Sequence, residues 1–185
     1  MVLDIRHSGD PERVVLILPG LTYTPARPLL HYLARALHAR GWTVQELWWD
    51  PPDQDEQRQA YVEHRATAAL EKEGARHVVV LAKCLGTRFL PTAVRLGIPG
   101  IWLTPMLDVP EVAQAVKVST TPALMVGGTR DPHWDAAAAR GGKARVLELP
   151  GADHGLETPG DVQGSLLALA TIIRAAEDFT AGLAP

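Results

Sequence analysis

Cys84 is the only cysteine in this chain of 185 residues, and it stands where nucleophilic chemistry is easily arranged. Residues 78–88 read Val-Val-Val-Leu-Ala-Lys-Cys-Leu-Gly-Thr-Arg, an apolar β-branched run that ends in a turn and continues into a helical pattern. At the start of a helix, unpaired backbone N–H groups favour a thiolate, and a nearby imidazole would lower the thiol pKa further. The result would be a strong nucleophile at neutral pH. A free cysteine is more often a small buried apolar residue. The apex between a strand and Gly86 favours the nucleophile.

His154 and Asp131 supply the matching base and acid. His154 lies in Pro-Gly-Ala-Asp-His-Gly, a glycine-bounded loop after the last strand pattern. A base must meet the nucleophile with one ring nitrogen and an orienting acid with the other, which a loop there allows. Asp131 follows Met-Val-Gly-Gly-Thr-Arg, whose glycines would turn the chain off the fifth strand; its alternative role is to cap the next segment. Asp108 is the rival acid and Asp135 a weaker one, while Asp153 should point elsewhere. His133, two residues past Asp131, fits a pocket wall better than a base. The other histidines (7, 31, 38, 64 and 77) fall on helices or strand starts away from this group.

The elements that must position these residues alternate along the chain. Strands are expected at 14–18, 42–48, 77–81, 100–103, 122–126 and 144–149, with a further edge strand over 2–6. Helices are expected from Pro25 or Pro28 to Gly41, over 53–73 with Tyr61, Ala69 and Leu70 inward, over 86–96 and 111–116, and after an Asp161 cap. This order predicts one α/β domain over 1–185, with about six mainly parallel strands and helices on both faces. In such sheets ligands bind at the carboxyl ends of the strands. Gly20, Cys84, Asp131 and His154 all follow strand ends and so share one edge.

Composition excludes several classes. A net charge of −3 gives no footprint for nucleic acid or an anionic membrane surface. No apolar run is long enough to span a bilayer, and the first residues lack a signal-peptide pattern. A single unpaired cysteine then suggests a cytoplasmic protein. No cofactor or metal is expected. The partner would be a small-molecule acyl substrate, and the chain a monomer or homodimer.

Five segments together carry a family resemblance: Pro-Gly-Leu-Thr, Lys-Cys-Leu-Gly-Thr, Leu-Thr-Pro-Met-Leu, Gly-Gly-Thr-Arg-Asp-Pro-His-Trp-Asp and Gly-Ala-Asp-His-Gly-Leu-Glu. They resemble the small bacterial α/β-hydrolases whose nucleophile elbow reads Lys-Ser-Leu-Gly-Thr. The resemblance spans residues 13–180 and implies Cys84 as nucleophile, Asp131 as acid and His154 as base. Against the usual G-x-S-x-G elbow, Ala82 replaces the first glycine and Cys84 the serine, as in dienelactone hydrolases. The fold implies an oxyanion hole from the backbone N–H groups of Leu85 and Leu21, with Thr22 as second choice. The pocket would include Thr22, Tyr23, Lys83 and His133. Lys83 and Arg88 could attract an anionic acyl group, although such residues are usually solvated or paired. Only a short helix separates Leu103 from Pro122, so no lid domain is expected and the site should be open, with residues 102–107 lining it.

Three functions remain open on the sequence alone. One is hydrolysis of a small ester, thioester or lactone. A second is ligand or partner binding by a catalytically weak hydrolase-fold protein. The third is thiol-based redox sensing through Cys84.

Overall fold

Val14 through Leu18 are wholly buried, as a strand covered on both faces must be. Their side chains alternate between two cores. Val15 and Ile17 face α1 (Pro28–Ala39) and α6 (Val162–Ala181), with Leu30, Leu33, Leu37 and Ile172. Leu16 and Leu18 face α2 (Asp55–Leu70), α3 (Leu90–Arg95) and α4 (Pro110–Val118), with Val62, Phe89 and Val112. Truncating a wholly buried leucine such as Leu33 to alanine should cost about 2–5 kcal/mol.

This computed structural model describes residues 4–183. The sheet has seven strands: β1 (Ile5–His7), β2 (Asp10–Leu18), β3 (Trp42–Glu46), β4 (His77–Lys83), β5 (Gly100–Leu103), β6 (Ala123–Gly128) and β7 (Ala144–Leu149). Their order is β1-β3-β2-β4-β5-β6-β7, with β1 antiparallel and the rest parallel. The chain moves outward from β2 to β3, then returns to lay β4 on the other side of β2. That reversal is a topological switch point, the place at the carboxyl ends of the strands where ligands bind in sheets of this kind.

Several expectations need correction. The sheet has seven strands, because Ile5–His7 does pair with β3; residues 2 and 3 of the expected edge strand lie outside the described residues. The third strand ends at Glu46, and the tryptophans beyond it serve side-chain roles. On α2 the fully buried residues are Val62 and Ala66, while Tyr61, Ala69 and Leu70 pack at the margin. The helix behind Cys84 is not one helix over 86–96. A 3-10 turn (Cys84–Phe89) precedes the short α3. Pro91 is the physical reason: it has no N–H, and its ring crowds the carbonyl four residues back, so an α-helical ladder cannot run through it. The one-turn α5 (Ala136–Ala139), capped by Asp135, was not foreseen. Between β5 and β6 the only helix is the nine-residue α4, so no lid domain covers the sheet edge.

Candidate active site

Cys84 has a left-handed backbone, with φ of 48°. For a non-glycine residue this conformation is strained, by about 1–3 kcal/mol, and persists only where its surroundings impose it. Three contacts impose it here. The Gly86 N–H donates to the Pro19 carbonyl at 3.1 Å. The Thr87 hydroxyl donates to the Cys84 carbonyl at 2.6 Å and accepts from the Met106 N–H at 3.2 Å. Gly86 also presses on β2, where a Cβ would sit 2.5 Å from the Leu18 carbonyl oxygen. Only glycine permits that approach.

The loop after β2 is pinned beside the elbow. Trp49 Nε1 donates to the Gly20 carbonyl at 3.1 Å, and the Gly20 N–H donates to the Tyr23 carbonyl at 3.0 Å. The backbone N–H of the intervening Leu21 lies near enough to help lower the Cys84 pKa. Leu85 lies in the first turn of the 3-10 segment, where N–H groups have no intrahelical acceptor.

His154 and Asp131 meet beside this elbow. His154 Nδ1 lies 2.9 Å from both carboxylate oxygens of Asp131, whose side chain is fully buried. A carboxylate only accepts, so Nδ1 carries the proton and Nε2 is left for the nucleophile. The Asp131 carboxylate also accepts the His133 N–H at 3.0 Å. Asp153 does not touch the His154 ring; it accepts the N–H groups of Gly155 at 2.7 Å and Glu157 at 3.3 Å, which shapes the loop. The glycines before Asp131 act differently from expectation. Gly127 and Gly128 lie within β6 and do not turn the chain; they make space. A Cβ on Gly128 would lie 2.2 Å from the Ala152 carbonyl oxygen, so its absence lets the His154 loop close onto β6.

The charges are coupled. Burial pushes the Cys84 thiol up, but His154, Lys83 and the Leu21 N–H together outweigh it and hold the thiol below its ordinary value. Asp131, and next Cys84, push His154 up to about 9. Burial likewise raises Asp131, yet His154 and the His133 N–H bring it below the usual carboxylate value. No hydrogen bond of full geometry joins Sγ to the ring among the described residues, but each group shifts the other's protonation. Catalytic contacts are often loose without substrate. The arrangement holds the thiol below and the imidazole above their ordinary values beside a buried carboxylate.

The remaining sequence candidates divide. Asp108 does not touch His154; its carboxylate lies 2.8 Å from His133 Nδ1, and the His133 ring stands edge-on to His154 with centroids 5.2 Å apart. Asp135 caps α5. Thr22 is exposed beside Leu21, and the Tyr23 hydroxyl accepts the Leu29 N–H at 3.1 Å. Lys83 does not reach toward substrate: it is 1% exposed. Arg88 is also buried, and its guanidinium is held by both oxygens of Asp55 at 2.9 Å. Trp102 belongs to the core, so within 102–107 only Met106 is partly open. Sequence reasoning missed Thr104, a buried residue with φ of 44° just past β5. Its place at a strand end was the available signal. A cavity of about 270 Å³ adjoins the His154 loop, between Tyr23, Leu29, Leu156, Leu169 and Ile172. Among the described residues no cluster of His, Cys, Asp and Glu could hold a metal, and no helix is long and apolar enough to cross a membrane.

No protein-family model matches the sequence, and no curated protein matches it. Solved structures do match. Est1E from Butyrivibrio proteoclasticus, solved with ferulic acid bound, is similar with a TM-score of 0.75 at 14% identity, over 97% of this chain and 96% of its own. The dienelactone hydrolase from Anabaena variabilis gives a TM-score of 0.67 at 16% identity, over 96% and 90%. XC6422 from Xanthomonas campestris, described as an α/β serine hydrolase without lid, gives 0.66 at 13% identity, over 100% and 90%. At these identities the likeness is one of fold. Seven mostly parallel strands, helices on both faces and no lid give this chain the α/β-hydrolase fold.

Proposed function

We propose that this protein is a hydrolase of small esters, thioesters or lactones that works through Cys84, His154 and Asp131. The observation that carries the reading is the strained Cys84 at the switch point, next to a His154 ring gripped by a buried Asp131. A redox sensor or a binding module has no need of that buried acid. Neighbours of the same fold include a dienelactone hydrolase and a protein with ferulic acid bound, so carbonyl substrates suit this architecture.

The mechanism follows from the charges. The Cys84 thiolate attacks the acyl carbon, and the developing oxyanion accepts the N–H groups of Leu21 and Leu85. The intermediate collapses, the carbon–oxygen or carbon–sulfur bond to the leaving group breaks, and His154 gives that group its proton. A Cys84 thioester remains. Neutral His154 then takes a proton from water as its oxygen attacks the carbonyl. The acyl–sulfur bond breaks with its electron pair on sulfur, which restores the thiolate.

Intact mass after incubation with an electrophilic acyl thioester tests this. One acyl group should appear on Cys84, and none in Cys84→Ala or, on the same timescale, in His154→Ala. Cys84→Ser should keep the fold and cleave short aryl esters. An ordinary thiol profile for Cys84 alkylation, indifferent to His154→Ala, together with no ester cleavage, would favour the binding module.

A further inference from the structure

Lys83 is a cation buried without a salt bridge among the described residues. It is 1% exposed. Its Nζ donates to the Thr104 hydroxyl at 3.0 Å and to the backbone carbonyl of His154 at 2.8 Å, and it lies 4.8 Å from the centroid of the Tyr23 ring. Burial pulls the Lys83 pKa below its ordinary value, and Cys84 on the elbow, Asp131 after β6 and Asp153 on the His154 loop, acting through space, offset part of that. Burying an ammonium this way is costly, and a methionine would fill similar volume without the cost. Packing alone therefore does not account for the charge. What it touches does: one nitrogen joins the end of β4, the residue after β5, and the loop that carries His154, 71 positions away.

We propose that Lys83 is a positioning residue of the site, whose ammonium ties the His154 backbone to the elbow strand and places a positive charge beside the Cys84 thiolate. The proposal rests on Cys84 being the nucleophile. In the resting site two negative groups, Cys84 and Asp131, then face two positive ones, His154 and Lys83. When the thioester is hydrolysed, the pair of electrons from the acyl–sulfur bond returns to a sulfur that already has its counter-charge. Lys83 so makes Cys84 a better leaving group and raises the fraction of Cys84 present as thiolate at neutral pH. Facing Lys83, the titratable groups are Tyr23, Cys84, Asp131, Asp153 and His154.

Lys83→Met tests it through the pH profile of Cys84 alkylation by iodoacetamide. Loss of the charge should slow the reaction about 10-fold at pH 6, a profile shift of roughly one unit, while the plateau above pH 9.5 stays within about 2-fold. On a short thioester substrate kcat should fall more than KM rises. By NMR the His154 titration should move upward, because a repelling cation is gone. A merely structural role would loosen the loop and move that titration down toward 6.5. Lys83→Gln should repeat the pattern. A wild-type alkylation profile in the variants, or a downward His154 shift, overturns the proposal. Should neither variant fold, the lysine ε-carbon resonance answers instead: the Lys83 midpoint must drop in Cys84→Ser, and an unchanged midpoint overturns it. A wild-type chain with an ordinary thiol profile is a different failure, that of the catalytic reading itself.

Discussion

Two aspartate–histidine pairs stand side by side in this molecule, and burial sets them apart. Asp131–His154 and Asp108–His133 have nearly equal separations, 2.9 and 2.8 Å. Their surroundings differ. The Asp131 carboxylate is wholly buried and receives a second hydrogen bond from the His133 backbone, whereas the Asp108 side chain is 51% exposed. Water and salt screen the exposed pair, which leaves it worth about 0–1 kcal/mol. The buried carboxylate has no such competition, and it is the largest cause of the His154 shift to about 9. Distance alone does not separate the two pairs; desolvation of the acid does.

The sharpest way to break this contrast is substitution of the acids. Asp131→Asn should lower kcat/KM on a short acyl ester by about 10³-fold or more, because the His154 tautomer is no longer imposed. Asp108→Asn and Asp135→Asn should stay within a few-fold. Similar small losses from all three would mean that another group orients the ring.

Next in size is the pH response of the thiol. With Cys84 lowered and His154 raised to about 9, iodoacetamide should still react rapidly near pH 6. His154→Ala should slow that reaction at least 10-fold, and His133→Ala should change it less than 2-fold. A large effect of His133→Ala would make the exposed pair a partner in the chemistry.

Gly128→Ala sharpens the comparison from the backbone side. Its Cβ would collide with the Ala152 carbonyl and push the His154 loop away from β6. We expect about 1–3 kcal/mol of destabilisation by denaturant titration, together with loss of activity. The Asp108–His133 contact, on other loops, should persist by NMR.

The smallest effect concerns stability. In Cys84→Ser only His154 titrates at the nucleophile contact, and Asp131 keeps its folded pKa raised. The added stability is then fully present below 6.5 and disappears as pH rises through that raised value. Thermal scans of Cys84→Ser should therefore show stability falling from pH 6 to 9. Addition of Asp131→Asn should flatten that slope, and addition of Asp108→Asn should leave it.

The amino-acid sequence by itself determined which residues follow strand ends and so share one edge of the sheet. β-branched runs closed by Pro19-Gly20, Lys83-Cys84, Gly128-Thr129 and Leu149-Pro150 mark strand ends, and parallel strands put such ends on one edge. These are local signals, so the α/β class, the Asp161 cap and the grouping of Cys84, Asp131 and His154 were legible. The helix expected over 86–96 overlooked Pro91, which divides it into a 3-10 turn and α3. Tertiary structure decided the rest. Whether Asp108 or Asp131 meets His154 depends on how deeply each loop is covered. Whether Lys83 is solvated or buried depends on a carbonyl 71 residues away. The left-handed backbone of Cys84 depends on Pro19, Thr87 and Met106 closing around it. Partners and burial come from segments distant in sequence, and no residue type or spacing encodes them until the sheet has brought those segments together.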